Sequence, residues 1–229
     1  MKKGFLFPAN DTLPRILLNM LTAFITLAIN GFGVHLTIKA ALGSAPWDVL
    51  NLGLSSTFGI LYGTASIAVS LVILGVDLVM KEPIGIAMLI DAFTVGKSVD
   101  FFDWLGIIPE PHNIFDSLLM LAIGLFIIGY TQCFYMQAAL GCGPRDTLIV
   151  GIAKRITKIP LGVQVIILHA TVTLIGWLLG GPVGIGTIAC AFLSGPIMQL
   201  AYDSMHVNVT KIKHQNIIET FKVVFTRHA

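Results

Sequence analysis

The chain has 229 residues, 55% of them hydrophobic and only 11% charged, with 14 basic and 12 acidic residues and a net charge of +2. Adding its 23 glycines brings the apolar share to about 65%, against roughly 45–50% for a soluble domain, and the charged share falls well below the usual ~25%. Such a chain could not cover a water-facing surface; it is too apolar for disorder and too weakly charged for nucleic-acid binding, which leaves an integral membrane protein.

In chain order, residues 1–15 form a short segment carrying Lys2, Lys3 and Arg15. Phe5-Leu6-Phe7 is too short for the apolar core of a secretory signal, and Asp11, Pro14 and Arg15 follow at once, so no cleaved leader is expected. Six stretches are long and apolar enough to be predicted as bilayer-crossing helices: 16–37, 63–80, 84–105, 114–136, 161–179 and 183–202. Two more, 46–57 and 144–155, are too short. At about 12 residues and ~1.5 Å per residue they reach about 18 Å of a ~30 Å hydrocarbon core. The tail, 204–229, is basic and polar. Ile218, Phe221 and Phe225 recur every three or four residues with Lys222 and Arg227 among them, which predicts an amphipathic helix at the membrane surface. Cys133, Cys142 and Cys190 form no CxxC pair. An odd count without ligand spacing predicts buried thiols, with no metal and no cofactor.

The two short segments occupy equivalent places in an internal repeat. The run Ala40–Asp48, ALGSAPWD after its first alanine, recurs as Ala138–Asp146, ALGCGPRD, at an offset of 98. At an offset of 99, Pro83-Ile84-Gly85-Ile86 recurs as Pro182-Val183-Gly184-Ile185, and Ala92-Phe93 with Gly96 recurs as Ala191-Phe192 with Gly195. Each half therefore reads as long helix, glycine- and proline-containing break, short helix, long helix, Pro-x-Gly turn, long helix. The break residues are Gly43 and Pro46, then Gly141, Gly143 and Pro144; the turns hold Pro83 and Gly85, then Pro182 and Gly184.

Basic residues at both termini predict both on the cytoplasmic side, which requires an even number of crossings. If the short segments re-enter, each half crosses three times. Lys81 and the Lys154, Arg155, Lys158 stretch then lie inside, and the connection 106–113, without Lys or Arg, lies outside. Eight crossings would put Lys81 outside and the base-free connection 106–113 inside, so six fit better. Three per half inverts the second half relative to the first. The expected organisation is repeat 1 over 16–105, an external connection over 106–113, repeat 2 over 114–203 and a cytoplasmic tail.

The breaks, with Asn51-Leu52-Gly53-Leu54, GCGPRDTLIVGIAKR and GGPVGIGT, resemble the YczE/YyaS/YitT family of bacterial membrane proteins, its YczE-like branch above all, over about residues 15–203. The resemblance implies a multi-pass protein of the bacterial inner membrane and carries no settled activity. The YitT branch has a soluble C-terminal domain where only a short tail is expected here, so any role of that domain is not carried over.

Chemistry is most concentrated at the breaks. Asp48 and Asp146 each follow a proline by two positions at the mouth of a short helix. In the membrane such carboxylates need a partner or water, and paired broken helices in inverted repeats build midplane sites in transporters. Their plainer role is to cap the helix, as proline first and Asp third is ordinary N-terminal chemistry. Arg145 stands where the first half has Trp47 and is expected to pair with Asp146 or to favour anions at the cytoplasmic mouth. Asp91 and His169 lie inside crossing helices and are candidates for proton coupling, against a role in interhelical hydrogen bonding. Asp77, near a helix end, is expected to reach water. Lys154, Arg155 and Lys158 are expected to set topology and touch lipid phosphates. No enzyme motif is present: neither GxSxG, HExxH nor a Walker loop.

The sequence thus predicts an all-α membrane protein, non-enzymatic, with six transmembrane helices and two short re-entrant or broken ones. Its leading function is that of a small-solute or ion transporter with a path between the repeats. The alternative is a non-transporting membrane partner or regulator of another membrane-associated system. Membrane lipids are the expected partners, with a small solute or ion, and with homo-oligomerisation or a protein partner open.

Overall fold

In the computed structural model, residues 9–208 and 212–226 are described; Lys2, Lys3, Lys211, Arg227 and the side chain of Phe225 lie outside them. These residues form helices and no strand: α1 (Leu13–Lys39), α2 (Pro46–Phe58), α3 (Tyr62–Val79), α4 (Ile86–Leu105), α5 (Ile114–Gln137), α6 (Pro144–Arg155), α7 (Leu161–Leu178), α8 (Ile185–Ser204) and α9 (Ile217–Thr226).

The helix ends follow from local chemistry. The short helices α2 and α6 both start on proline after an extended residue, Ala45 or Gly143, a position where proline's missing N–H has no partner to lose. Gly59 and Gly106 end α2 and α4 in the left-handed conformation. Asn113 caps α5, its side-chain oxygen accepting the Asp116 N–H at 2.9 Å.

Five helices, α1, α3, α5, α7 and α8, are long and apolar enough to cross a membrane. The stretch 84–105, expected as a sixth, becomes α4, which falls outside that class because Asp91, Lys97, Asp100 and Asp103 share its 20 residues. Three of those charges have partners. Lys97 meets Asp100 at 3.6 Å and Lys39 meets Asp103 at 3.2 Å, while Gly63 donates its N–H to Asp100 at 2.7 Å. The exterior carries large apolar side chains, among them Phe24, Val72, Phe115, Ile166, Leu178 and Phe192. Water would not tolerate that surface; lipid does.

At the centre, α1 packs on α5, and Asn30 bridges them through Thr131 at 2.9 Å. α4 packs on α1 and α3, and α8 on α5. Each short helix lies on the other half of the chain, α2 against α7 and α6 against α3. The other polar membrane residues behave less uniformly. Gln164 donates to Ile156 and Ile159 carbonyls at 2.8 and 2.6 Å, whereas Gln199 donates to Asp203 of its own helix.

The two breaks have the same backbone. Ala41 and Ala139 have φ of 54° and 56°, and Gly43 and Gly141 have 97° and 116°. Each break docks on the Pro-x-Gly turn of the other half. Ala87 donates its N–H to the Leu140 carbonyl at 3.0 Å, and Gly186 donates to Leu42 at 2.7 Å. Side-chain carbon is excluded here: on Gly85 it would meet the Leu140 carbonyl, and on Gly184 the Leu42 carbonyl.

The tail folds back over the molecule. Asn216 and Glu219 cap α9 reciprocally, with bonds of 2.8 and 3.0 Å. Ile218 and Phe221 face outward, as the spacing predicts. Val223 and Val224 form an inner apolar face packed on the cluster of Ile16, Leu27 and Tyr135.

Candidate functional site at the mouths of the short helices

The two proline-led mouths meet. Arg145, two residues into α6, lays its guanidinium over the ring of Trp47, two residues into α2, at 5.3 Å from the ring centroid. These are equivalent positions of the two halves, so one contact joins both mouths as a cation–π pair. Arg145 forms no ion pair among the described residues, so the expected bond to Asp146 is absent. Its charge nevertheless reaches Asp48, Asp91 and Asp146.

Asp48 and Asp146 each have a neutral donor from their own half. Asp48 is 4% exposed and accepts the Tyr62 hydroxyl at 2.7 Å; Asn51, one turn on, donates to Tyr62 at 3.3 Å. Asp146 accepts from Gln132 of α5 at 3.0 Å. Asp91 of α4 reaches the same mouth, where a side-chain carbon on Gly143 would lie 2.6 Å from its Oδ2 and 3.8 Å from Asp146 Oδ2. Three carboxyl groups and one guanidinium thus surround the mouths. His169, half-buried on α7, is also within reach of the Arg145 charge, but no hydrogen bond or ion pair joins it to Asp91 among the described residues. Pro83, Gly85, Pro182 and Gly184 form the turns on which the mouths rest, and Gly43, Pro46, Gly141, Gly143 and Pro144 shape the mouths themselves.

Beside the second mouth a cavity of about 130 Å³ opens between Glu82, Cys142, Thr147 and the tail at His214. The tail closes it through backbone bonds from Gln215 to Ala139 and from Ile217 to Ile84, both 2.8 Å. Burial pushes the His214 imidazole below its ordinary range. At the far end of α6, Lys154 and Arg155 grip the buried Glu82 at 2.6 and 3.0 Å, and Arg155 also donates to the Met80 carbonyl. Hydrogen bonds from Lys154 and then Arg155 hold the Glu82 carboxyl below the usual carboxylate range. Lys154 and Arg155, expected to set topology and touch lipid phosphates, also clamp this turn, each with its side chain about half exposed.

Residues 17–203 match the family of unknown function DUF6198. The chain belongs to that family. It is 34% identical over 184 residues to the uncharacterized membrane protein YczE of Bacillus subtilis, covering 78% of this chain and 82% of the relative. It is 31% identical to an uncharacterized protein of Haemophilus influenzae, over 76% of this chain and 78% of the relative. It is also 28% identical to the uncharacterized protein YyaS of Bacillus subtilis, over 77% and 88%. No solved structure matches it. The YczE-like resemblance of the break motifs is thereby established, and with it the membrane class.

Sequence reasoning missed Tyr62 at this DUF6198 site and misplaced Asp77 beyond it. Tyr62 opens α3 without any motif, and only its place opposite Asp48 reveals its use. Asp77 was expected to reach water from the end of its helix; it is 0% exposed and neither oxygen has a hydrogen-bond partner among the described residues.

Proposed function

We propose that this protein is a small-solute or ion permease of the bacterial inner membrane, without enzymatic activity, whose path runs between the two halves past Trp47, Asp48, Arg145 and Asp146. The observation that carries this reading is the Trp47–Arg145 contact. It sets two helix N-termini, with their positive dipole ends, and three carboxyl groups around one point of an otherwise apolar molecule. Ionisable groups are tolerated in a membrane chiefly where they pair or line a water-filled passage, and paired broken helices are one way to build it.

Six crossings and two re-entrant short helices make up the architecture of this reading. Both ends of α2 rest on one turn of the second half, Ser44 donating to Pro182 at 3.2 Å and Thr57 to Leu179 at 2.8 Å. Both ends of α6 rest on one turn of the first half, through Leu140 with Ala87 and through Arg155 with Glu82. A helix that begins and ends against one turn supports a return to the side it entered, and on this reading the halves are inverted repeats with both termini in the cytoplasm. They differ where a gate belongs. Gly63 of α3 and Gly96 of α4 touch, a side-chain carbon on Gly96 lying 3.0 Å from Gly63 Cα, whereas Gly162 and Gly195, their equivalents in α7 and α8, have no atom within 4 Å of theirs. This supports a path closed between α3 and α4 and open between α7 and α8.

The test is flux in vesicles containing the purified protein, read as proton or alkali-cation current and as uptake of a panel of small solutes. The parent protein conducts or takes up at least one, and Asp48→Asn or Asp146→Asn abolishes it. Equal flux in both variants would overturn the path. A second reading, a non-transporting membrane partner, is favoured by the outward Ile218 and Phe221 of α9. No flux in the parent, together with a cellular defect on deleting residues 205–229, would select it.

A further inference from the structure

Asp77 lies on a stripe of α3 with Ile73 four residues before and Met80 three after. Those two side chains pack with Leu148 and Ile152 of α6. The carboxyl group is therefore held at the α3–α6 contact, fully buried, with both oxygens lacking a hydrogen-bond donor among the described residues. An ionised carboxylate in that position would be desolvated and uncompensated, the arrangement proteins avoid by neutralising the group. Its equivalent in the second half is Gly176, against which α2 packs by backbone contact, so nothing in the repeat itself calls for an acid there.

The charged groups on the surrounding elements supply no counter-ion. Glu82, in the turn after α3, adds a second negative charge. Lys154 and Arg155 of α6 are both engaged by Glu82, and Lys81 is exposed. Asp48 of α2 is bonded to Tyr62. On α4, Asp91 lies at Gly143, and Lys97 and Asp100 lie at Gly63, the opposite end of α3. Among the described residues no group of three or more His, Cys, Asp or Glu is placed to hold a metal ion.

We propose that Asp77 is a proton-binding site: it carries a proton while α6 lies on α3, and loss of that proton loosens α6. The step is protonation alone. An O–H bond forms on a carboxylate oxygen with a proton taken from water, the proton returns to water on release, and nothing is oxidised or reduced. Because α6 carries Arg145 and Asp146, a proton at Asp77 acts on the mouths from the far end of that helix. On the permease reading, and resting on it, this makes the proton the coupling ion.

Infrared spectra of the reconstituted protein test the site without any transported solute. At neutral pH the parent shows a protonated-carboxyl C=O band that disappears on raising the pH, and Asp77→Asn lacks that component. In parallel, the melting temperature of the parent falls as pH rises, since the folded state holds a proton the unfolded chain gives up, and the fall is smaller in Asp77→Asn. Asp77→Gly, which restores the residue of the other half, gives the same two results if the amide disturbs packing. A band unchanged in both variants, or a parent melting temperature indifferent to alkaline pH, overturns the proposal. A band that sodium or potassium removes at fixed pH also overturns it, in favour of a bound cation. If flux is absent yet the Asp77 band is found, the permease reading fails and the proton site stands.

Discussion

α2 on α7 and α6 on α3 are the same contact made twice with different materials. In the first, backbone meets backbone. A side-chain carbon on Gly176 would lie 2.5 Å from the Leu50 nitrogen and 2.6 Å from its Cα, and one on Gly53 would strike the Gly176 carbonyl. In the second, the glycine equivalent to Gly53 is Gly151, and its nearest neighbours are ends of side chains, Met80 Cε at 2.8 Å and Glu82 Cγ at 3.1 Å. The polar anchors differ in the same sense. α2 is tied to α3 of its own half by a buried bond between Tyr62 and Asp48, whereas α6 is tied across to the first half by a clamp of Lys154 and Arg155, each about half exposed, on Glu82. A contact of backbone and buried donors is stiff. A contact of flexible side chains and half-exposed charges yields. The molecule has one rigid and one adjustable short-helix seat, and the adjustable one lies beside the tail and the cavity.

The comparison breaks most visibly at its glycines. Gly176→Ala forces backbone apart and is expected to cost about 2–3 kcal/mol, the upper range of core overpacking, read as thermal unfolding in detergent. Tyr62→Phe removes the donor from Asp48 and is expected to cost about 1–3 kcal/mol, with little dependence on salt because the bond is buried. Glu82→Gln is expected to cost about 1–2 kcal/mol, less than a fully buried charged bond since its partners are half exposed and screened, and the difference from the parent shrinks at high salt. The Glu82 carboxyl is held below its unfolded range, so its contribution is complete above the ordinary glutamate range and disappears as pH falls through the lowered value. Parent and Glu82→Gln therefore converge in strong acid and differ at neutral pH. Gly151→Ala comes last, within about 1 kcal/mol of the parent, because Met80 can move and alanine's helix preference of ~0.8–1.0 kcal/mol over glycine offsets the crowding. Equal losses for Gly176→Ala and Gly151→Ala would mean that the two seats are alike after all.

Much of the fold was readable along the chain because helix length and proline position are local properties. The start of α2 at Pro46 and both ends of α6 at Pro144 and Arg155 stand where the pattern placed them. The positive φ at Ala41 and Ala139 is the backbone counterpart of the repeated ALG. The exception, α4, shows that apolarity alone does not decide helix packing once charges find partners. The site was readable only in part. The break motifs named Trp47, Asp48, Arg145 and Asp146, but that Trp47 and Arg145 stack depends on which helix faces which. Glu82 and Arg155 are 73 residues apart. Asp77 misled because distance to a helix end measures reach to water only when no other helix covers that end, and α6 does. The inner face of α9 was hidden for the same reason.

The account depends most on the short helices turning back rather than crossing. Single cysteines placed in 106–113 and in 154–158, in a chain freed of Cys133, Cys142 and Cys190, can be labelled from either side of intact cells with a membrane-impermeant thiol reagent. Two returning short helices put 106–113 outside and 154–158 inside, so the reagent reaches only the first from without. Labelling of both regions from the same side would mean that the short helices span, and the inverted halves and the path between their mouths would fall together.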